Sequence, residues 1–273
     1  MMLREETGRG NRAAEKWRRA EAEEHMQPKK AVKIYAPDVC SRFRCLAGAC
    51  RHTCCEGWEV DIDPESLARY RSMPGDFGRK LMRFIDPDPT PHFILTPEEK
   101  CPLLTEDHLC ELILREGEGA LCQICADHPR FRNYWSDRVE MGLGLACEEA
   151  ARLILTCDHP IRLREIGVDP ASAPEAPGEG EIWLRELRER LWASVEDSGP
   201  AARLYEYMIY RHLADALYDG LAEERIRFAG RACGIILDGW DGSDVGALIE
   251  RARRFSNEIE YDDEKLIDMI RKS

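Results

Sequence analysis

Apolar residues recur at steps of three and four in the C-terminal part of the chain, which is the spacing of an amphipathic helix. In the segment 182–195, this spacing is seen at Leu184, Leu187, Leu191 and Val195. The same pattern predicts helices over 201–221, 245–255 and 265–270. We therefore expect a helical bundle-like domain over residues 181–273.

Shorter elements are predicted before residue 167. Apolar and polar residues alternate over 58–63, which favours an extended segment, and 92–95 is a candidate strand. Asp63 and Pro64 are typical of a helix start, because aspartate caps the first turn and proline fits it. Further helices are predicted over 109–114, 116–125 and 147–155.

Proline and glycine dominate 167–180, so this segment is predicted to be a linker. Residues 1–30 carry dense charge of both signs and no apolar stripe, which predicts a mobile charged tail. The residues between them, 31–166, form a cysteine-rich part. The predicted fold is mostly α with a minor α+β component: a metal-organised domain over 31–166, followed by the helical domain.

Composition excludes several classes of protein. The chain has 273 residues, 44% of them hydrophobic and 33% charged, which is ordinary for a globular protein. The net charge of −13 argues against nucleic-acid binding through phosphate contacts. No apolar run approaches the length of about 18 residues that a membrane span needs. Because residues 1–30 also lack the apolar core of a secretory signal, we expect a cytoplasmic protein.

Cysteine usage is the unusual feature, because eleven of the twelve cysteines lie between Cys40 and Cys157. A disulfide framework requires an oxidising compartment, and buried thiols acting as small hydrophobes do not explain the clustering. Metal ligation in a reducing cytosol explains it best, because thiolates bind zinc and iron–sulfur iron. Mixed sites are also open, since His52, His108, His128 and His159 each lie near a cysteine.

The cysteines fall into blocks with metal-ligand spacing. The first block reads C-x4-C-x3-CC, and the last is a C-x2-C pair formed by Cys122 and Cys125. Successive side chains point apart, so one of Cys54 and Cys55 either serves a second centre or simply packs. The predicted ligand pool permits one cluster with spare thiols or two sites: Cys45, Cys50, Cys54, Cys55, Cys101, Cys110, Cys125 and Cys147. Cys40 and Cys233 are predicted not to be ligands.

The two cysteine blocks resemble the flagellin lysine-N-methylase (FliB) family, within the wider CxxCxxCC group of zinc- or iron-chelating proteins. The runs that carry the resemblance are FRCLAGACRHTCCEGWEVDID and CPLLTEDHLCELILREGEGALCQICADHPR, with LACEEAARLIL around Cys147 and, less specifically, EYMIYR from Glu206. The resemblance spans roughly 40–220. His128 departs from it, because an aromatic residue usually precedes the Pro-Arg pair in that family.

The resemblance implies methyl transfer from S-adenosylmethionine to lysine amines of flagellin, with a cysteine-ligated [4Fe-4S] cluster. No G-x-G-x-x-G fingerprint supports a dinucleotide-type donor fold. A lysine attacks a methyl group only when it is neutral, so a carboxylate base is expected, and the candidates are Asp61, Asp63 and Glu206. Candidates for binding the donor are Trp58 and Tyr207, which could face its cationic sulfur, and Arg130, which could bind its carboxylate.

Two other functions fit the same residues. The thiol spacing also suits a zinc-stapled binding module without catalysis. Cysteines outside the family pattern, such as Cys122 and Cys157, suit a metal chaperone or a redox sensor.

Overall fold

The computed structural model describes residues 31–170 and 173–273, and the predicted tail over 1–30 lies outside them. The helices are α1 Pro64–Ser72, α2 Gly75–Arg83, α3 Glu111–Glu116, α4 Gln123–Asp127, α5 Glu148–Leu155, α6 Glu179–Ala193, α7 Pro200–His212, α8 Ala216–Asp219, α9 Ala222–Leu237, α10 Val245–Phe255 and α11 Asp263–Arg271. The strands are β1 Val32–Pro37, β2 Ile85–Asp86, β3 His92–Phe93, β4 Arg130–Tyr134, β5 Arg138–Leu143 and β6 Leu163–Asp169. The predicted class, mostly α with a small β component, is confirmed.

A four-stranded sheet holds the N-terminal and middle segments together. Its strand order is β4-β5-β1-β6, with β1 parallel to β5 and antiparallel to β6. β4 and β5 form an antiparallel hairpin, and β2 pairs with β3 in a separate two-stranded sheet. The four-stranded sheet was not predicted from the sequence.

Two hydrophobic clusters form the interior. The large core joins the 31–166 part to the helical part: Val39, Phe43 and Leu143 pack with residues such as Leu184, Leu204 and Phe228. The small core lies within the cysteine-rich part and contains Tyr70, Leu81, Leu112 and Cys122. The division between the cores therefore does not coincide with the predicted boundary at 167–180.

The predicted linker is wrong at both ends. β6 continues to Asp169, and α6 begins at Glu179. Ile166 and Val168 are exposed, so this edge strand is held by backbone pairing to β1 rather than by burial of its side chains. A hydrophobic pattern cannot reveal such a strand.

Helices with a strong apolar stripe or a cap match their predictions best. α10 has the predicted bounds, and Asp63 caps α1 by accepting a hydrogen bond from the Ser66 N–H. The helix predicted over 116–125 is wrong, because Gly117 has a φ of 82° and separates α3 from a short 3-10 turn before α4. The one predicted over 201–221 is broken after His212 by another 3-10 turn. α9 was not predicted.

Among the described residues, no helix is both long enough and apolar enough to cross a membrane.

Candidate metal centre

Cys45, Cys50, Cys54 and Cys147 form what we call the first thiol group. Three of them lie in the loop after β1, and Cys147 immediately precedes α5. Glu148 ties the two segments together: its Oε2 accepts a hydrogen bond from the Arg51 N–H at 3.0 Å, and its Oε1 lies 2.6 Å from Arg51 Nε. The Cys50 Sγ lies 3.9 Å from Glu148 Oε2, which brings the loop thiols beside Cys147.

The thiols of this group affect one another electrostatically. The pKa of Cys147 is raised to about 11, chiefly by burial, with smaller contributions from Cys50 and Cys45. The pKa of Cys54 is raised first by its hydrogen bond to Cys55, then by burial, and also by Cys45 and Cys147. Each of the thiols of Cys50, Cys54 and Cys147 therefore has its ionisation disfavoured by at least one other thiol of the group.

The second thiol group contains Cys55, Cys101, Cys110, Cys122 and Cys125. The Cys101 N–H donates to the Cys55 carbonyl at 2.7 Å, and a β-bridge between Leu104 and Cys110 folds the segment after Cys101 back on itself. Cys122 is fully buried in the small core, and Cys101, Cys110 and Cys125 pack against that core. Three separate chain segments therefore converge on one set of thiols.

Electrostatics confirm this convergence. Burial raises the pKa of Cys101 to about 12, with further contributions from Cys55, Cys110 and Cys122. A hydrogen bond from Cys125 lowers the pKa of Cys122 to about 7, and a hydrogen bond from Cys54 does the same for Cys55. The second group thus contains two thiols with a pKa near neutral, and one of them, Cys55, is adjacent to Cys54 of the first group. The thiolate, which forms more readily at a lowered pKa, is the form that binds metal.

Sulfur spacing bears on which metal fits. The potential ligand atoms are the sulfur of Cys, the ring nitrogens of His and the carboxylate oxygens of Asp and Glu. Within the described residues, the only set of three or more that all lie within 4.8 Å of one another is Cys157, Asp158 and His159. No three thiols of either group are that close. A single tetrahedral zinc with bonds of about 2.3 Å would hold its sulfurs about 3.8 Å apart.

Cys157 belongs to a separate donor cluster near the start of the sheet. Its Sγ lies 3.6 Å from His159 Nε2, which in turn lies 3.5 Å from Asp38 Oδ2 and 4.0 Å from Asp158 Oδ1. His159 Nδ1 donates to the Pro160 carbonyl at 2.9 Å, so Nε2 is left facing the other donors. Arg42 Nη2 lies 3.9 Å from the Cys157 sulfur.

Cys40 and Cys233 stand apart from both thiol groups. Burial raises the pKa of each to about 12. Cys233 is a member of the large core, and Cys40 packs against it.

The candidate bases do not converge on one site. Asp63 accepts two backbone hydrogen bonds, from Gln123 and Ser66, which lower its pKa to about 2. Asp61 is exposed beside the β-bridge to His92. Glu206 is 1% exposed: its Oε2 accepts from the Ile161 N–H at 3.1 Å, Arg203 lies 3.0 Å from its Oε1, and burial raises its pKa.

The candidate donor-binding residues are also dispersed. Trp58 donates from Nε1 to the Cys54 carbonyl at 2.8 Å, which places its ring beside the junction of the two thiol groups. The Arg130 guanidinium lies over the Phe43 ring at 5.4 Å. Tyr207 is buried in the large core, where its hydroxyl accepts from the Leu145 N–H at 3.3 Å.

The described residues line a small cavity and a larger open groove. A cavity of about 30 Å³ lined by residues including Cys40, Cys157, His159, Arg203 and Tyr207 has room for about one water. An open groove of about 520 Å³ is lined by residues including Tyr134, Trp135, Glu181 and Tyr218, and has the size of a small-molecule site.

Sequence reasoning left Cys122 out of the ligand pool, although the structure places it in the second thiol group. Its C-x2-C spacing with Cys125 was the signal that could have included it.

These features define a mainly helical, cysteine-rich protein whose thiols are gathered from distant segments. Among curated proteins, the chain is similar to the lysine-N-methylases of Salmonella typhimurium (29% identical over 150 residues) and Salmonella choleraesuis (28% over 150 residues). Each alignment covers 50% of this chain and 36% of the relative. It is also 27% identical over 143 residues to the flagellar biosynthetic protein FliU of Salmonella muenchen, covering 50% of this chain and 85% of that protein. These relatives confirm the resemblance to the flagellin lysine-N-methylase family.

The chain thus spans about a third of the length of the two lysine-N-methylases. No family model and no solved structure matches it.

Proposed function

We propose that the protein is a lysine N-methyltransferase that acts on flagellin, with S-adenosylmethionine as methyl donor and a cysteine-ligated [4Fe-4S] cluster. The similarity to two proteins named lysine-N-methylase carries this proposal. The similarity to a flagellar biosynthetic protein supports flagellin as the substrate. Flagellin synthesis and thiolate-bound iron both favour a cytoplasmic reaction.

The thiol groups fit an iron–sulfur cluster. Each offers at least four sulfurs from several segments, and cluster iron is bound by four cysteine thiolates. In a four-iron cluster each thiolate binds a different iron, so the sulfurs are further apart than around one ion. Among any three sulfurs of a group, at least one pair lies more than 4.8 Å apart, which supports the cluster over a single zinc. A bound cluster would supply a redox-active iron centre and would cross-link the segments that bind it.

Methyl transfer also requires the chain to remove a proton from the lysine amine. Asp63 is poorly suited, because a carboxylate with a pKa near 2 is a weak base. The raised pKa of Glu206 is in the direction that a general base needs, and Asp61 is exposed to an incoming substrate. Glu206 is nevertheless buried and engaged by Arg203 and the Ile161 N–H, so proton removal is assigned to Asp61, and Asp61→Asn tests this.

Methylation of purified flagellin tests the proposal. The full chain, purified without oxygen, is incubated with flagellin and methyl-labelled S-adenosylmethionine, and lysine methylation is read by mass spectrometry. We expect label on flagellin lysines and none on flagellin whose lysines are acetylated. Absence of label under both reducing and non-reducing conditions, with the metal retained, would overturn the proposal for this chain.

A zinc-stapled flagellin-binding module is the second candidate. It is favoured by the short overlap with the methylases, of which the alignment covers 36%. Colourless protein that contains zinc, binds flagellin and does not methylate it would establish this function instead. Release of the metal on mild oxidation would point to the third alternative, a metal chaperone or redox sensor.

A further inference from the structure

We propose that the protein contains two separate metal centres, and that the adjacent residues Cys54 and Cys55 bind to different ones. The first centre is formed by the first thiol group. The second is formed by Cys55, Cys101 and Cys110, with the Cys122–Cys125 pair supplying the fourth ligand. The metal identity rests on the proposed function, but the number and composition of the centres do not.

The two thiol groups are anchored to different parts of the interior. Cys147 packs against the large core at the start of α5. Cys101, Cys110 and Cys125 pack against the small core, in which Cys122 is buried. A single four-thiolate centre built from either group would leave the thiols of the other group without a metal.

The Cys54–Cys55 peptide lies at the junction. The Cys55 carbonyl accepts a hydrogen bond from Cys101, and the Cys54 carbonyl accepts one from the Trp58 ring, so both residues are fixed by their backbones. The Cys101 contact fixes Cys55 beside the second group. Cys54 closes the loop of Cys45 and Cys50, which the bonds between Arg51 and Glu148 hold beside Cys147 in the first group.

Charge supplies the reason for a metal in both groups. Four or more neighbouring thiols cannot all ionise without a cation, because each thiolate disfavours the next. A bound metal would remove this electrostatic cost by making the thiolate the favoured form.

Metal counting on single variants tests the proposal. We expect about eight irons and eight sulfides in the wild-type chain, purified without oxygen. Cys54→Ala and Cys147→Ala should each lose about half of the iron, and so should Cys55→Ala and Cys110→Ala. The double variant Cys110→Ala/Cys147→Ala should lose nearly all of it. Cys233→Ala, in the large core, is the control and should retain the full content.

Because each single variant should retain half of its iron, the metal content itself shows that the variant is folded. This check does not depend on a measurement of activity. Loss of all metal from both Cys54→Ala and Cys55→Ala, with about four irons in the wild type, would overturn the proposal and leave the methyltransferase assignment intact. Two centres without methyl transfer would leave this inference standing and overturn the function. Zinc is measured alongside iron, so that a centre filled by zinc is counted as well.

A different set of atoms carries a second inference: we propose that Cys157, Asp158 and His159, whose donor atoms all lie within 4.8 Å of one another, bind one divalent cation of the zinc class. Tetrahedral zinc with ordinary bonds to sulfur and to imidazole nitrogen separates these two atoms by about 3.6 Å. The separation between Cys157 Sγ and His159 Nε2 is 3.6 Å, and Asp38 Oδ2 lies 3.5 Å from the same nitrogen.

The surroundings of His159 match those of a metal-bound histidine. Its Nδ1 donates to the Pro160 carbonyl, which fixes the ring and leaves the Nε2 lone pair for a cation. A bound divalent cation would favour the thiolate form of Cys157, and the carboxylate of Asp158 would supply the second negative charge that balances the cation.

Zinc titration tests this second site. Zinc chloride is added to the full chain with its iron content known, and bound zinc is measured after removal of the excess. We expect about one equivalent that is lost in both Cys157→Ser and His159→Gln while the iron content is unchanged; Cys233→Ala is the control. Zinc content that is the same in wild type and both variants, or zinc loss that always accompanies iron loss, would overturn the site.

Discussion

Asp63 and Gln123, sixty residues apart in the chain, are joined by a hydrogen bond of 2.8 Å from the Gln123 N–H to Asp63 Oδ2. The other oxygen of the same carboxylate caps α1 through the Ser66 N–H. Asp63 therefore connects α1 to the start of α4, which carries Cys122 and Cys125 on either side of Gln123. These two hydrogen bonds give Asp63 a structural role beside the second thiol group, and its low pKa makes it a weak base.

Replacing Asp63 with alanine should destabilise the protein. Loss of a helix cap costs about 1 kcal/mol, and the bond to Gln123 adds a similar amount, so we expect the free energy of unfolding to fall by about 2 kcal/mol. Urea unfolding of the metal-loaded protein measures this. Asp61→Ala, at an exposed acid two residues away, is the control and should change stability by less than about 0.5 kcal/mol. Equal effects of the two substitutions would contradict this role of Asp63.

His128 should make stability depend on pH below neutrality. Burial, with a smaller effect of Arg130, lowers its pKa from 6.5 to about 4. Because the folded pKa is below the unfolded one, the unfolded chain binds the proton first, and stability is lost as the pH falls from about 6.5 to about 4. We expect a loss on the order of 2 kcal/mol over this range.

His128→Phe isolates this contribution. An aromatic residue is expected at this position from the family resemblance, and the ring can keep the contact with Trp58, whose centroid lies 6.3 Å away. The variant should lose less stability than the wild type between pH 6.5 and pH 4 in urea unfolding. Parallel pH profiles for the two proteins would show that His128 is not the titrating group.

The sequence predicts the helices better than the sheet, and the reason is physical. α10 and the start of α1 are encoded locally, by an apolar stripe and by a cap. β6 is held by backbone bonds to β1, more than a hundred residues away, while its side chains Ile166 and Val168 remain exposed. No local pattern contains that pairing, and for this reason the strand was not predicted and its last residues, 167–169, were assigned to a linker.

The same limit applies to the thiols. Spacing predicts which cysteines are candidate metal ligands, but their division into groups depends on long-range contacts. Glu148 brings Cys147 to the first group, and the backbone bond between Cys101 and Cys55 assembles the second. The alternative that one of the two adjacent cysteines serves a second centre could be stated from the sequence, but only the fold supplies its neighbours.

His212 and Glu260 form a buried pair in the large core, with 2.7 Å between Nε2 and Oε1 and each side chain 1% exposed. Burial lowers the pKa of His212, and the contact with His212 keeps the pKa of Glu260 below its usual value despite burial. A neutral histidine thus donates to an ionised glutamate. His212→Ala leaves that carboxylate buried without its donor, so we expect destabilisation of about 3 to 5 kcal/mol.

Glu260→Gln supplies the comparison, because the amide oxygen still accepts from Nε2 and no charge is left buried. We expect a loss of about 1 kcal/mol. Urea unfolding of both variants measures the difference. A larger loss for Glu260→Gln than for His212→Ala would show that the histidine carries the charge.

Glu148 should control how firmly the first thiol group retains its metal. Its carboxylate fixes the loop of Cys45 and Cys50 to α5 through Arg51, and Glu148→Ala removes both contacts. We expect faster loss of about half of the bound metal to a chelator, while the other half leaves at the wild-type rate. Glu111→Ala is the matched control: Glu111 follows Cys110 as Glu148 follows Cys147, but it pairs with Lys80 at the surface. If Glu148→Ala releases all of the metal at one rate, or none faster than the control does, the loop contact does not hold a separate centre.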